Sequence, residues 1–413
     1  IYQMQLAGFI FAFLLALVLI SKNINMGLSL LVAAFVAGIV SMDFVNLLEV
    51  MFQGIISPMS VELIIIVGLI SGLGYLMKKT GDLDKMVQAL NSLLGNTKLL
   101  LMFIPALIGT LNIPGGAILS APMIEESGNR VNMNGVQKSS INLFFRHIGF
   151  FVYPLYPSMI IISELMEVPI PTIIKYTAPV TLAGLITAYL VLFKNCENHI
   201  IPKSRRKKVT TSLYNFLAGF SSVLVILILA LALGLPFTYS VIAGTLVALL
   251  KKPESINKSK IEFYYQRVKE FVREGIDYQL VFTIIGLMAF KEVIEESGFV
   301  NQMAEIIIEY GIPLPLLIII MGLIAGYVTG VHMAATGILA PIFVSIIPGG
   351  NIAVYTALLF VTINLGYLIS PLHLCLALSN EFFKAKIGPV YKKLVIPILV
   401  MIIVSWVQLL LFA

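Results

Sequence analysis

Three of the four histidines, His147, His332 and His373, stand in or beside long apolar runs, and Arg146 immediately precedes the first of them. An imidazole in such a place can carry a proton near neutral pH. A guanidinium inside an apolar run is costly and marks function, or else it snorkels to the interface. Thr110, Asn112, Thr329, Thr336, Asn364 and Ser370 add hydroxyl and amide groups to the same stretches. The sum is a polar, net-positive zone that favours a small anionic solute, most plausibly a carboxylate. The candidate solute-binding set is Thr110, Asn112, Gly115, Gly116, Arg146, His147, Tyr156, Ser158, Thr329, His332, Thr336, Asn364, Ser370 and His373. Of these, Asn112, Ser158, Thr329 and Ser370 are also candidates for holding a coupling cation.

The acids are placed differently. Glu62, Glu125, Glu164 and Asp277 all lie near the ends of apolar runs, so a carboxylate proton relay lacks a carrier. Sodium held by carbonyl, hydroxyl and amide oxygens needs no charged side chain, whereas a proton would travel on His332 or His147. Cys196 and Cys375 sit in unlike contexts, without a partner at metal-ligand spacing. Neither a disulfide, a metal site nor a cofactor is expected, apart from Na+ as a coupling ion. The sequence holds no His-Glu-x-x-His and no Gly-x-Ser-x-Gly, and an enzyme is not expected.

The elements that must position these groups are membrane helices. Of 413 residues, 59% are hydrophobic and only 12% charged, more apolar surface than a water-soluble domain of this size can hide. Runs such as 6–20, 60–77, 213–233 and 389–411 approach or reach the ~20 residues that cross a bilayer. No Lys or Arg precedes the first run, so a cleaved signal peptide is not expected there. The net charge of +6 is concentrated in two loops beside apolar runs, the positive-inside pattern, which argues against nucleic acid. His199 falls in one of these loops and is expected to be solvated.

Four apolar segments are broken. Residues 98–110 run into Leu111-Asn112-Ile113-Pro114-Gly115-Gly116 and return through 117–124. Residues 314–328 run into a tip at 329–336 and return through 337–347. Most of these arms are too short to cross, so each pair reads as a re-entrant hairpin. The segments 138–162 and 352–378 then break at Tyr153-Pro154-Leu155-Tyr156-Pro157-Ser158 and at Ser370-Pro371-Leu372-His373. Proline removes a donor and disfavours helix just before it. Unpaired backbone at membrane depth is tolerated only when buried in protein or lining a wet cavity.

The breaks recur because the sequence repeats at an offset of about 217–222 residues. Gln53-Gly54-Ile55 answers Glu274-Gly275-Ile276, Ala121-Pro122 answers Ala340-Pro341, and Ile141-Asn142-Leu143 answers Ile363-Asn364-Leu365. The basic loops at 194–208 and 251–273 should be cytoplasmic, which sets the halves in opposite orientations with both termini outside. The expected organisation is repeat one at 1–195, a basic linker at 196–212 and an inverted repeat two at 213–413. Within it, 1–60, 213–275, 172–194 and 389–413 form a scaffold, and 61–165 with 278–385 form a transport domain. An all-α polytopic protein of two inverted repeats, each with a hairpin and an interrupted helix, is the architecture of many secondary transporters. A channel, or the membrane subunit of a multi-component transporter, is the alternative.

The segment 110–122 (TLNIPGGAILSAP), with Phe145-Arg146-His147 and Tyr153-Pro154-Leu155-Tyr156-Pro157, resembles an uncharacterised family of prokaryotic integral membrane proteins. That family is grouped with the ion transporter superfamily, alongside gluconate permeases, citrate and dicarboxylate carriers, and the large membrane subunits of binding-protein-dependent carboxylate transporters. The resemblance spans nearly the whole chain. It implies an elevator-type carrier in the cytoplasmic membrane, a homodimer held by scaffold helices, with hairpins and unwound helices forming the moving part. The dicarboxylate branch carries Ser-Asn-Thr at its hairpin tips, whereas Thr110-Leu111-Asn112 and Thr329-Gly330-Val331 stand here, so that branch's ligands do not transfer residue by residue.

Overall fold

The computed structural model describes residues 2–22, 24–110, 116–197, 209–251, 260–299 and 311–412. Every regular element among them is a helix. Lipid demands this, because a helix pairs its own backbone groups where no water is available.

The first half runs α1 (Tyr2–Ser21), α2 (Met26–Ser41), α3 (Phe44–Ile56), α4 (Pro58–Lys79) and α5 (Asp82–Leu93). A hairpin follows, α6 (Thr97–Gly109) and α7 (Gly116–Asn129). Then come an interrupted pair, α8 (Gly135–Ile148) and α9 (Pro157–Leu165), and the long α10 (Ile170–Leu192). The second half has four described helices before its hairpin, where the first has five. It opens with α11 (Val209–Leu227), which runs into a π-helical turn, followed by α12 (Phe237–Leu250), α13 (Lys260–Glu270) and α14 (Tyr278–Glu296). Its hairpin is α15 (Leu314–Thr329) with α16 (His332–Val344), its interrupted pair α17 (Ile352–Leu368) with α18 (Leu374–Phe382), and its last helix α19 (Ile387–Phe412).

The outer surface is that of a membrane protein. On α19, Val395, Leu399, Ile403 and Val407 recur at helical spacing and are all exposed, while Val390, Leu394, Met401 and Leu409 are buried on the opposite face. On α10, Leu182, Ile186 and Leu190 form a similar exposed stripe. A water-facing helix does not present apolar side chains turn after turn; a lipid-facing one does.

Packing partners are exchanged between the halves. Helix α2 lies on α14 while α12 lies on α4, and α7 lies on α18 while α16 lies on α9. Helices α10 and α19, the last of each half, pack on one another. Two groups of helices result. One comprises α1–α5 with α11–α14; the other comprises α6–α10 with α15–α19. They meet where α16 touches α14, α15 touches α1, α6 touches α5 and α9 touches α4.

Small residues let the second group close up. A methyl at Gly326 or Gly366 would collide with the carbonyls of Ile363 or Leu323, so these glycines bring α15 and α17 backbone to backbone. Helix starts are secured locally. The Ser57 hydroxyl accepts from Ser60 N–H at 3.2 Å at the start of α4. Asn134 and Gln137 form a reciprocal capping box at the start of α8.

The breaks fall close to their expected positions, with two differences. Helix α8 ends at Ile148 and α9 begins at Pro157, so the first interruption starts earlier than Tyr153, with a 3-10 turn over Gly149–Phe151. The second hairpin tip is also narrower than 329–336. Gly330 adopts the left-handed region at φ +60° and stops α15, Val331 is extended, and helix resumes at His332. His332 and Thr336 therefore belong to the first turns of α16 instead of to the tip.

Candidate functional site

Helix α8 delivers Arg146 and His147 to the interior, where they are 3% and 4% exposed. Its bearing is fixed by Asn142, one turn earlier. The Asn142 amide donates to the Ala117 carbonyl at 3.0 Å and to Ser379 Oγ at 2.9 Å, and its oxygen accepts from Ser120 Oγ at 2.6 Å. One side chain thus ties α8 to α7 and α18. The Arg146 guanidinium lies against Gly116 at the start of α7, where a Cβ would strike it. The arginine is buried inside the protein, which rules out the snorkelling alternative.

His147 lies with Nδ1 2.6 Å from the Leu143 carbonyl oxygen. A carbonyl only accepts, so Nδ1 carries the proton, and in the neutral imidazole Nε2 then carries the lone pair. Its ring meets His373 edge-on, with centroids 4.6 Å apart. His373 is the residue before α18, and Tyr367, near the end of α17, covers its ring at 3.9 Å. Tyr367 also meets His332 at 4.9 Å, and His332 in turn meets Tyr156 at 4.5 Å. Tyr156 stacks on Phe150 at 3.9 Å. Three histidines from both halves therefore share one aromatic cluster. Within it, His332 Nδ1, His373 Nε2 and the Tyr156 hydroxyl are buried without a hydrogen-bond partner among the described residues. Such groups await a ligand or water.

The cluster forms one wall of a cavity of about 550 Å³. Arg146, His147, His332 and His373 line it, together with Phe150, Tyr367 and Cys375. The opposite wall is Ile20, Asn25, Asp277, Gln279 and Thr283, from the α1–α2 turn and the start of α14. Asp277 caps α14, accepting from Gln279 N–H at 3.0 Å, and among the described residues it is the single carboxylate on the lining. The helix starts of α16 and α18 also reach the cavity, through Val331–Met333 and His373–Cys375. Helix starts present unpaired N–H groups and partial positive charge. With Arg146, the lining is set up for an anion.

The remaining candidates are placed as follows. Ser158 Oγ and Thr336 Oγ1 meet at 2.7 Å beneath the site, joining the two halves. The Thr329 hydroxyl donates to Ala325 O at 2.7 Å and accepts from Val331 N–H at 3.3 Å. The Ser370 hydroxyl donates to Tyr327 O at 2.5 Å and accepts from Leu372 N–H at 3.2 Å. Both hydroxyls thus serve backbone groups freed by the breaks. Asn364 donates to Phe360 O at 2.8 Å, but its oxygen is buried without a hydrogen-bond partner among the described residues, and the residue lines a void of about 10 Å³ between α8 and α17. Thr110 donates to Leu107 O at 2.7 Å and is half-buried, away from the cavity lining. Asn112 and Gly115 lie outside the described residues, as does His199.

Sequence reasoning missed Asn142, Tyr367 and Cys375. The repeat carried a signal for Asn142, since it answers Asn364. For Cys375 the signal was absent: its Sγ, His147 and His373 converge within 4.8 Å only in three dimensions.

Taken together, the fold and cavity are those of a multi-pass helical membrane protein with a buried polar site between two broken helices. The chain belongs to the family described as "Protein of unknown function (DUF401)", which matches residues 5–412. No curated protein matches the sequence. Among solved structures, the fold is similar to that of the Alcanivorax borkumensis YdaH transporter, described as having an unusual topology, at 12% identity. That likeness has a TM-score of 0.58 and covers 98% of this chain and 97% of the other. At that identity the likeness establishes the fold.

Proposed function

We propose that this protein is a secondary active transporter that moves a small organic anion, a carboxylate above all, across the prokaryotic cytoplasmic membrane. One observation carries the reading. A fully buried Arg146 and three buried histidines, contributed by both halves, face a cavity that holds, among the described residues, a single carboxylate at its rim. A charged side chain inside a membrane span is rare and marks a substrate or ion pathway. The fold shared with a transporter supports the same reading, as does the kinship to carboxylate carriers of the ion transporter superfamily implied by the motifs at 110–122 and 153–157.

The mechanism is elevator-type alternating access. The packing supports a moving body made of α6–α10 with α15–α19, sliding on a scaffold of α1–α5 with α11–α14. This division assigns α4 and α14 to the scaffold and the last helix of each half, α10 and α19, to the moving body. The cavity opens toward Asn25 and Asp277, beside Lys22 and the basic stretch that precedes α14. If basic loops face the cytoplasm, the halves are inverted, both termini lie outside, and this conformation faces inward. Coupling is to Na+ or H+. The chain works as a homodimer, without a cofactor or nucleic-acid partner, and is not an enzyme.

The test begins with purified protein and a panel of organic acids, with and without Na+, read as thermal stabilisation. The acid that stabilises most is then offered to proteoliposomes with imposed Na+ or H+ gradients. Accumulation above the external concentration, driven by one gradient, is expected. Arg146→Ala and His332→Ala should reduce uptake to background while remaining monodisperse. Flux that only equilibrates would instead identify a channel, and wild-type uptake in both variants would remove the site.

A further inference from the structure

The geometry points to a transition-metal site in the cavity wall, formed by His147, His373 and Cys375. His147 comes from the end of α8 in the first half of the chain, and His373 and Cys375 come from the start of α18 in the second. Their ligand atoms lie within 4.8 Å of one another, and all three residues are buried. A tetrahedral zinc centre has bonds of about 2.0–2.3 Å, which places ligand atoms roughly 3.2–3.8 Å apart. Side-chain rotations of about 1 Å therefore close the set.

The tautomers are already correct. His147 donates Nδ1–H to the Leu143 carbonyl, leaving the Nε2 lone pair free. His373 holds Nδ1 3.4 Å from the Leu368 carbonyl, and its Nε2 is buried without a hydrogen-bond partner among the described residues. A ligating histidine ordinarily gives its other N–H to a carbonyl or carboxylate, which orients the ring and raises its basicity. Both rings have that second contact built in, from the last turns of α8 and α17.

The donor set defines the ion. Two imidazole nitrogens and a thiol sulfur, with no carboxylate among them, favour Zn2+, Co2+, Ni2+ or Cu+ over Na+, Mg2+ or Ca2+. Binding removes the proton of the Cys375 thiol, which leaves to water through the cavity, and the resulting thiolate offsets part of the ion's charge. Arg146, the residue directly before His147, adds positive charge and weakens the site, so an ion with a strong sulfur preference is selected. Three protein ligands leave a fourth position open toward the cavity. Water or an anionic ligand would fill that position. The site does not depend on the transport reading, and its test measures binding alone.

Full-length protein without a polyhistidine tag is titrated with Co2+, and the near-ultraviolet and visible spectra are followed. A thiolate-to-cobalt charge-transfer band with tetrahedral d–d bands is expected, displaced stoichiometrically by Zn2+. Cys375→Ser should abolish the charge-transfer band, and His373→Gln should weaken Zn2+ binding by more than about tenfold. Cys196→Ser, which alters the half-buried cysteine after α10, should leave both unchanged. If Cys375→Ser does not fold, His147→Gln and His373→Gln must each shift the band in folded protein. Absence of the band in wild type, its survival in Cys375→Ser, or its loss in Cys196→Ser would overturn the assignment, whatever the uptake assays show.

Discussion

Asn142 shows how much one side chain can fix. It uses both amide protons and its oxygen across three helices, deep in a region where water cannot substitute. Replacing it with alanine leaves Ala117 O, Ser379 and Ser120 to find other partners. Each orphaned group costs about 1–3 kcal/mol, so Asn142→Ala should lower stability by at least about that amount, seen as a drop in Tm in detergent. Its repeat partner Asn364 spends only one amide proton, on its own helix. Asn364→Ala should therefore cost little stability, and equal losses for the two would refute the assigned difference. The pair was visible in the sequence as matched positions, but their unequal work was not. Periodicity places a residue on a helix; it does not say which neighbours arrive from the other half.

At the scale of elements, the breaks were legible because proline and glycine act locally. Pro157 opens α9 and Gly330 closes α15 for reasons contained in a few residues. What lay beyond reach was convergence. Tyr367 and Cys375 look like ordinary apolar-run residues until α17 and α18 bring them against His147 and His332. The same limit explains the hairpin tip, where Thr329–Thr336 read as one polar stretch although only Gly330 and Val331 leave the helix. Gly330→Ala tests how firmly that tip is set. The substitution meets a positive φ and places a methyl 2.6 Å from Leu372 Cβ. The cost of an alanine at positive φ exceeds about 1 kcal/mol, and the tip must also pull away from the α17–α18 break. Reduced Tm, together with weakened binding of the stabilising acid, is expected. Unchanged values for both would mean that the tip tolerates another geometry.

For the whole molecule, the decisive relation is that between the two helix groups. Each is dense within itself, by the glycine contacts of α15 with α17 in one and of α2 with α14 in the other, whereas the contacts between them are few. One of them is at Leu287 of α14, whose side chain packs on Gly337 of α16, where a Cβ would overlap it. If α16 rides with the moving body, this contact must break once per cycle. If the cavity is instead a static pore, the contact persists. In a background that carries Cys196→Ser and Cys375→Ser and still takes up the acid, a double variant, Leu287→Cys with Gly337→Cys, treated with a short bifunctional thiol reagent, distinguishes the two. In an elevator, cross-linking stops uptake while the acid still stabilises the protein, because the cavity wall formed by Arg146 and the histidines is left intact. Leu287→Cys alone with the same reagent should retain its uptake. Undiminished flux through fully cross-linked protein would show that α14 and α16 need not part, and the moving-body description would fall with it.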